Sequence, residues 1–226
     1  MNIAIIPARG CSQRIPNKNI IDFNGKPMIA HTIEAAISAK IFEKIIVSTD
    51  SEQIAEISIK YGAEVPFLRE LFADNVSPVS IATVDCLNKV EEYFNCKYET
   101  VVQLMANCPL RDKNDINNGL NYFKSENIDY LISCFKFNWM NPWWAFRINE
   151  NNIPQPLFPE ALKSRSQDLS ELYCPTGALW IAKTNKIKET KSFYSEGFRF
   201  FPLSLKSSID IDNYEDINFA IAYSKL

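Results

Sequence analysis

The chain has 226 residues, 46% hydrophobic and 23% charged, with 24 Lys and Arg against 27 Asp and Glu. That length and apolar share suit one packed α/β domain with room for a small insertion, and they exclude wholesale disorder. A formal net charge of −3, with no Lys/Arg block of five or more, argues against nucleic-acid and membrane-surface partners.

The six cysteines, Cys11, Cys86, Cys96, Cys108, Cys134 and Cys174, include no C-x-x-C pair. They read as free thiols of a reducing compartment, so a cytoplasmic protein is expected. The opening MNIAIIPARG has too short an apolar run for a signal peptide, and no stretch approaches a membrane span. His31 is the only histidine, which excludes a His-rich zinc site. Its setting, MIAHTIEAAISA, makes it a helix-face residue rather than half of a nucleophile pair.

Residues 2–7 (NIAIIP) read as a buried strand, followed by a polar loop over 8–26. Ile29, Ile33, Ala36 and Ile37 predict a helix over 28–39. A second strand at 44–48 runs into Thr49-Asp50-Ser51, a helix entry, and the next helix, 52–60, closes at Gly62. Ala63 to Phe67 reads as a short strand, and Ile81, Val84, Leu87, Val90 and Phe94 predict a helix over 79–94. A third strand at 100–105 ends at Pro109, Asp112 caps a helix at 113–125, and residues 130–135 form a fourth strand. Strand and helix alternate, so a mainly parallel sheet with βαβ crossovers is expected.

Residues 136–172 break this rhythm with Trp139, Trp143, Trp144, four prolines and two Asn-rich turns. They read as an inserted hairpin or arm. Local packing and a subunit interface both account for its aromatics. The sheet resumes at Ala178 to Ala182 and near Phe200 to Leu203, and residues 213–224 form the closing helix. The whole, 1–226, is expected to be one domain.

Three segments carry chemistry. Ala8 to Asn19 follows the first strand, where open α/β sheets bind ligands. Gly10 lets backbone approach a phosphate, and Arg9, Arg14 and Lys18 offer three cations to a triphosphate. The segment is not a GxxxxGK[ST] loop, so the common kinase and ATPase reading fails. In Ser208-Ile209-Asp210-Ile211-Asp212 the two aspartates share a face and can hold a hard cation such as Mg²⁺; a polar turn before the next helix is the plainer reading. In Val101 to Arg111, an extended chain puts Gln103, Met105 and Asn107 on one face, serving a site or satisfying backbone.

Taken in order, ARGCSQRIPNKN, KIIVSTD, NCPLR and SIDID resemble the acylneuraminate cytidylyltransferase family, the synthetases of CMP-sialic acid and of related bacterial nonulosonic acids. The resemblance spans nearly the whole chain. It implies a Rossmann-like α/β nucleotidyltransferase fold, a homodimer built through the inserted arm, and a requirement for Mg²⁺. It also implies CTP and a nine-carbon 2-keto sugar acid as substrates. It puts the nucleotide at Ala8, Arg9, Ser12, Lys18 and Asn19, with Arg69, ahead of Ala73-Asp74, and Ser77 beside it. Asp210 and Asp212 match the metal pair, and Arg165 and Gln167 lie in SRSQDL, similar to the family's sugar loop. Arg9 and Lys18 would stabilise the phosphates during transfer.

The departures fall on the sugar side. The family's QPTSPLR is MANCPLR here, so its sugar-contacting glutamine is Met105, with Gln103 a candidate replacement. The family's RPNGAIY is CPTGALW, which places Cys174, Thr176 and Trp180 where it has Arg, Asn and Tyr. A nonulosonic acid other than N-acetylneuraminate is therefore expected, with neutral drift as the alternative. The rival readings are a cytidylyltransferase for the eight-carbon acid Kdo, a metal-dependent glycosyltransferase, and a non-catalytic nucleotide-binding protein.

Overall fold

In β1 (Asn2–Pro7) Ile3, Ala4, Ile5 and Ile6 are all fully buried, because helices cover both faces of the sheet it belongs to. The structure, a computed structural model, describes residues 1–73 and 76–226, and Asp74 lies outside them. After β1 come a small hairpin, β2 (Asp22–Phe23) and β3 (Lys26–Pro27), then α1 (Met28–Ala39), β4 (Lys44–Ser48) and α2 (Glu52–Lys60). Next are α3 (Val79–Tyr93), β5 (Thr100–Gln103), α4 (Lys113–Ser125) and β6 (Tyr130–Lys136). The arm hairpin is β7 (Phe146–Ile148) with β8 (Pro154–Pro156). The chain ends with β9 (Tyr173–Lys183), α5 (Thr184–Thr190), β10 (Arg199–Pro202) and α6 (Tyr214–Ser224).

Six strands form the main sheet in the order β10-β6-β9-β5-β1-β4. β4 and β5 flank β1 in parallel and β10 lies parallel to β6, while β9 runs antiparallel between β5 and β6. Alternation along β1 divides the core. Ala4 and Ile6 pack with Ile29 and Ile33 of α1, Ile54 of α2 and Ile116 and Leu120 of α4. Ile3 and Ile5 pack on the other face with Val84 and Leu87 of α3 and Ile187 of α5. The result is a three-layer α/β/α fold, in agreement with the mainly parallel sheet expected from the sequence.

Helix entries follow local chemistry. Ser51 caps α2 by accepting from the Ile54 amide at 3.4 Å. Asp112 and Asp115 form a capping box on α4, as Asn213 and Asp216 do on α6.

The structure departs from the sequence reading in five places. β5 ends at Gln103 rather than running to Met105, because the chain turns at Ala106 and Asn107. β9 begins at Tyr173 rather than Ala178, because its first residues pair with the end of β6 past a register shift. α5, for which the sequence shows no apolar periodicity, is one short helix with Thr184 and Ile187 as its buried residues. Residues 63–67 form a single bridge, Glu64 to Ile46, not a strand. The 8–26 loop contains a 3₁₀ turn at Lys18–Ile20 and the β2–β3 hairpin.

The arm extends from the end of β6 with little of it buried. Trp139 is 80% exposed, and Met140, Ile148, Ile153, Leu157, Phe158 and Leu162 are also exposed. Trp143 packs edge-on against Phe158 and donates its indole N–H to the Ser170 carbonyl at 2.9 Å. Among the described residues no helix is long and apolar enough to cross a membrane.

Glu91 ties the α3 side together. Its buried carboxylate accepts from Lys188 of α5 at 2.5 Å, from Lys97 at 2.8 Å and from the Tyr98 amide at 3.3 Å. Burial alone would raise its pKa, but these donors hold it below the ordinary glutamate value. The stability it contributes is therefore present above the unfolded-state pKa and lost as pH falls through the lower folded value. Glu91→Gln is expected to cost about 1–3 kcal/mol at pH 7. In urea melts at stepped pH, the gap from wild type should shrink below about pH 4.

Candidate active site

The carboxyl ends of β1 and β5 open onto a cleft of about 380 Å³. Past β1, the Ala8 amide donates to the Ser48 carbonyl at 2.9 Å, so the loop leaves the sheet anchored to β4. The Gly10 amide then donates to Asp50 Oδ1 at 2.8 Å. A Cβ on Gly10 would lie 3.0 Å from Ser51 Cβ, so glycine is what lets the loop sit this close to the start of α2. Asp50 also faces the buried Arg69 guanidinium at 4.0 Å. Burial lowers the pKa of Arg69, and Asp50 opposes that shift. Buried Asn19 donates from its side chain to the Arg9 carbonyl at 2.9 Å, fixing the Arg9 backbone from behind.

The far rim is residues 208–212. Ile209 and Ile211 pack with Ile15, Phe23, Met28, Ile217 and Ala220, and this alternation turns Asp210 and Asp212 into the cleft. Lys18 Nζ donates to the Ile211 carbonyl at 2.7 Å and to Asp212 Oδ1 at 2.9 Å, while Arg14 pairs with Asp212 Oδ2 at 3.0 Å. Asn107 joins the strand-end segment to this rim. Its carbonyl accepts from the Ile211 amide at 2.9 Å, and its side-chain amide donates to Asp210 and, at 3.1 Å, to the Ile211 carbonyl.

The two aspartates differ electrostatically. Asp210 opens to the cleft, but protein crowds its other sides. That desolvation, with the like charge of Asp212, pushes its pKa up to about 6. Burial alone would raise Asp212 too, but the Lys18 ammonium, and then the Arg14 guanidinium, bring it below the usual carboxylate range.

Several residues named from the sequence meet in the cleft: Arg9, Ser12, Lys18, Asn19, Arg69, Ser77, Met105, Asn107, Asp210 and Asp212 all line it. Ala8 is buried behind it, and Gly10 contributes backbone. The other sugar-side candidates lie outside the lining. Gln103 is 0% exposed; its Oε1 accepts from Thr83 at 2.7 Å and its amide approaches Met105 Sδ at 3.9 Å. Thr176 is buried and donates to the Ser208 carbonyl at 2.9 Å. Trp180 packs against Phe193 and Tyr194 and donates to the Thr176 carbonyl at 2.8 Å. Arg165 and Gln167 are exposed on the arm.

Two residues stand out only in the structure. Asp50 reads as part of a helix entry, although its place beyond the carboxyl end of a strand was a usable signal. Gly177 gives no such signal. A Cβ there would meet Met105 Cγ at 2.7 Å, so glycine leaves room for the Met105 side chain, with Asp210 Oδ2 next to it at contact distance.

Among the described residues no group of three or more His, Cys, Asp or Glu side chains is placed to hold a metal. Asp210 and Asp212 supply only two carboxylates. That donor set suits a hard cation whose remaining ligands are phosphate and water, as Mg²⁺ prefers. The raised Asp210 pKa fits the same view, because a like-charge pair facing one space is relieved by a cation.

The Asp210 shift has a stability consequence. Its folded pKa exceeds the unfolded value, so the folded state binds more protons between about pH 4 and 6, and stability falls as pH rises through that window. In metal-free buffer, Asp210→Asn is expected to raise the thermal midpoint at pH 7.5, with the gain vanishing near pH 4. Differential scanning calorimetry across that range checks it; a lower midpoint at pH 7.5 would contradict the assignment.

Comparison with known proteins gives this geometry its context. The cytidylyltransferase family model matches residues 3–139. A pseudaminic acid cytidylyltransferase from Campylobacter jejuni strain 81-176 is 36% identical over 219 residues, covering 97% of this chain and 94% of that protein. A CMP-N,N′-diacetyllegionaminic acid synthase from Legionella pneumophila is 36% identical over 213 residues, covering 93% and 90% of the two chains. An N-acylneuraminate cytidylyltransferase from Streptococcus agalactiae serotype V is 31% identical over 98% of this chain and 52% of its own length. The fold is like that of a CMP-2-keto-3-deoxy-manno-octonic acid synthetase solved with CTP, with a TM-score of 0.73, 17% identity, and coverage of 99% and 98%. The chain belongs to the cytidylyltransferase family and is a nucleotidyltransferase.

Proposed function

We propose that this enzyme transfers CMP from CTP to the anomeric hydroxyl of a sialic-acid-like nonulosonic acid, releasing pyrophosphate. The observation that carries this reading is the cleft, where Arg9, Arg14 and Lys18 face Asp210 and Asp212 beyond the carboxyl ends of the strands. The three 31–36% identical relatives described above are all named for CMP transfer to such acids or for its product.

The residues divide the work. Arg9, Arg14 and Lys18 would bind the triphosphate and offset the charge that moves onto pyrophosphate as it leaves. Arg69, beside Asp50, would hold the nucleoside end. Asp210 and Asp212 would hold Mg²⁺, which when bound neutralises phosphate charge and acidifies the attacking hydroxyl. Asn107 keeps Asp210 aimed into the cleft. No residue of the cleft forms a covalent intermediate in this scheme; positioning and electrostatics supply the rate.

The acceptor is proposed to be a nonulosonate other than N-acetylneuraminate. In support, Met105 lines the cleft where the family resemblance expects a glutamine. The relatives named for pseudaminic and legionaminic acids, at 36% identity, also exceed the sialic acid enzyme, at 31%. A thioether beside the acceptor leaves sugar hydroxyls unpaired and favours a deoxygenated, methyl-bearing group. With CTP and Mg²⁺, pseudaminate or N,N′-diacetyllegionaminate is expected to give at least about 10-fold higher kcat/KM than N-acetylneuraminate. A preference for N-acetylneuraminate would reject the acceptor and leave the transfer standing.

The working form is proposed to be a cytoplasmic homodimer joined through the arm. Its support is the run of exposed apolar side chains from Trp139 to Leu162, and the exposure of Arg165 and Gln167 away from their own cleft. The six cysteines, all unpaired, suit a reducing compartment. Replacing residues 140–160 with a short Gly/Ser linker is expected to give a monomer by light scattering at micromolar concentration. A linker variant that stays dimeric would move the interface elsewhere.

A further inference from the structure

Arg111 is the largest fully buried side chain of the molecule among the described residues, at 1% exposure. Burial lowers its pKa to about 10, so it remains a cation at neutral pH. Among the described residues no carboxylate forms an ion pair with it. Its guanidinium instead donates from Nη2 to Thr32 Oγ1 at 2.8 Å and from Nη1 to the Ala178 carbonyl at 3.4 Å, while Nε has no partner. A buried cation without a counterion is a poor stabilising device, and an apolar chain of similar length would fill the space without the charge. Its contacts show what it does.

Thr32 accepts from Arg111 and so has its own proton free to donate. That proton goes to the Met105 carbonyl at 3.3 Å. The Met105 amide donates to the Gly177 carbonyl at 3.2 Å, next to the Ala178 carbonyl that Arg111 holds. The guanidinium thus ties α1, the turn after β5 and the middle of β9 at one point. Two residues on from Met105, Asn107 grips Asp210 and Ile211. The cation sits behind the wall and touches no cleft-lining carboxylate, yet each of its bonds ends on backbone or a side chain that fixes the Met105–Asn107 turn.

We infer that Arg111 is a positioning residue for nucleotidyl transfer, acting through Thr32 and the Met105 carbonyl to set where Asn107 presents Asp210. The inference rests on the cleft being the active site. Misplacement of a reacting group by about 1 Å costs about 100-fold in rate. A loosened turn should therefore lower kcat more than it weakens CTP.

The test compares wild type with Arg111→Met, Arg111→Lys, Thr32→Val and the Arg111→Met/Thr32→Val double variant, with Asp212→Asn as the site control. Each is assayed for pyrophosphate release with CTP and whichever of pseudaminate, N,N′-diacetyllegionaminate or N-acetylneuraminate wild type uses best. Thermal midpoints are measured alongside. Expected are a thermal midpoint for Arg111→Met within a few degrees of wild type, kcat lower by about 10–100-fold, and KM for CTP within about 3-fold. Thr32→Val, which changes little volume, should lower kcat in the same direction, and the double variant should add little to Arg111→Met. Arg111→Lys, keeping the charge and one bond, should recover part of the loss. Full activity in either Arg111→Met or Thr32→Val, or a loss that falls on KM with kcat unchanged, would overturn the inference. Should Arg111→Met not fold, Thr32→Val decides alone, by the same kcat criterion. An active Asp212→Asn would overturn the site and this inference with it; an inactive Asp212→Asn beside a fully active Thr32→Val would overturn this inference alone.

Discussion

One ammonium group joins the two halves of the site. Lys18 reaches across 193 residues of chain to the Ile211 carbonyl and, one residue on, to the Asp212 carboxylate. Arg14 takes the other oxygen of the same carboxylate. Two of the three cations proposed to bind phosphate, Lys18 and Arg14, are thus paired with a carboxylate proposed to bind metal. Asp212 acts as their counterion, and its lowered pKa records that pairing. Asp210, facing the same cleft, accepts from the Asn107 amide, forms no ion pair among the described residues, and carries desolvation and the like charge of Asp212 as a raised pKa. Triphosphate and cation would exchange these partners without leaving a bare charge behind.

The fold exists to bring those segments together. The parallel strands β1 and β5 end at the cleft and supply Arg9 and the Met105–Asn107 turn, while β4 beside β1 supplies Asp50 against Gly10 and Arg69. The antiparallel β9 then passes behind that edge and delivers Gly177 and Ala178 against Met105 and Arg111. The small apolar cluster around Ile15, Met28 and Ile211 seals the phosphate loop to the aspartate segment. Rigid strands on one side and a packed cluster on the other fix the backbone that carries the charged side chains, the preorganisation that electrostatic catalysis uses.

Much of this was legible in the sequence because the signals are local. Strand β1 and helices α1, α2 and α4 follow from apolar periodicity and capping residues, and both aspartates follow from alternation in an extended segment. β9 was half missed because its first residues, Tyr173 to Gly177, have no apolar run; their pairing with β6 is long-range, and only the partner defines them. The sugar-side positions depend on long-range packing in the same way. The sequence puts Gln103 and Asn107 on one extended stretch, but β5 ends at Gln103 and Asn107 lies in the turn beyond it, so Gln103 is held by Thr83 within the core while Asn107 reaches the cleft. Trp180 matches a family position, but its ring lies among Phe193 and Tyr194. Asp50 and Arg111 stand in the KIIVSTD and NCPLR motifs with no role assigned to them, because burial and the identity of a partner across the fold are not sequence properties.

The central claim, that Asp212 serves as the counterion of the phosphate-binding cations until nucleotide arrives, is tested most directly by CTP binding in metal-free buffer. Calorimetry with excess chelator compares wild type with Asp212→Asn. Removing the carboxylate frees Lys18 and Arg14 and takes a negative charge from beside the triphosphate, so the variant is predicted to bind CTP several-fold tighter while losing pyrophosphate release when Mg²⁺ is restored. Metal-free CTP binding that is equal or weaker in Asp212→Asn would contradict the account.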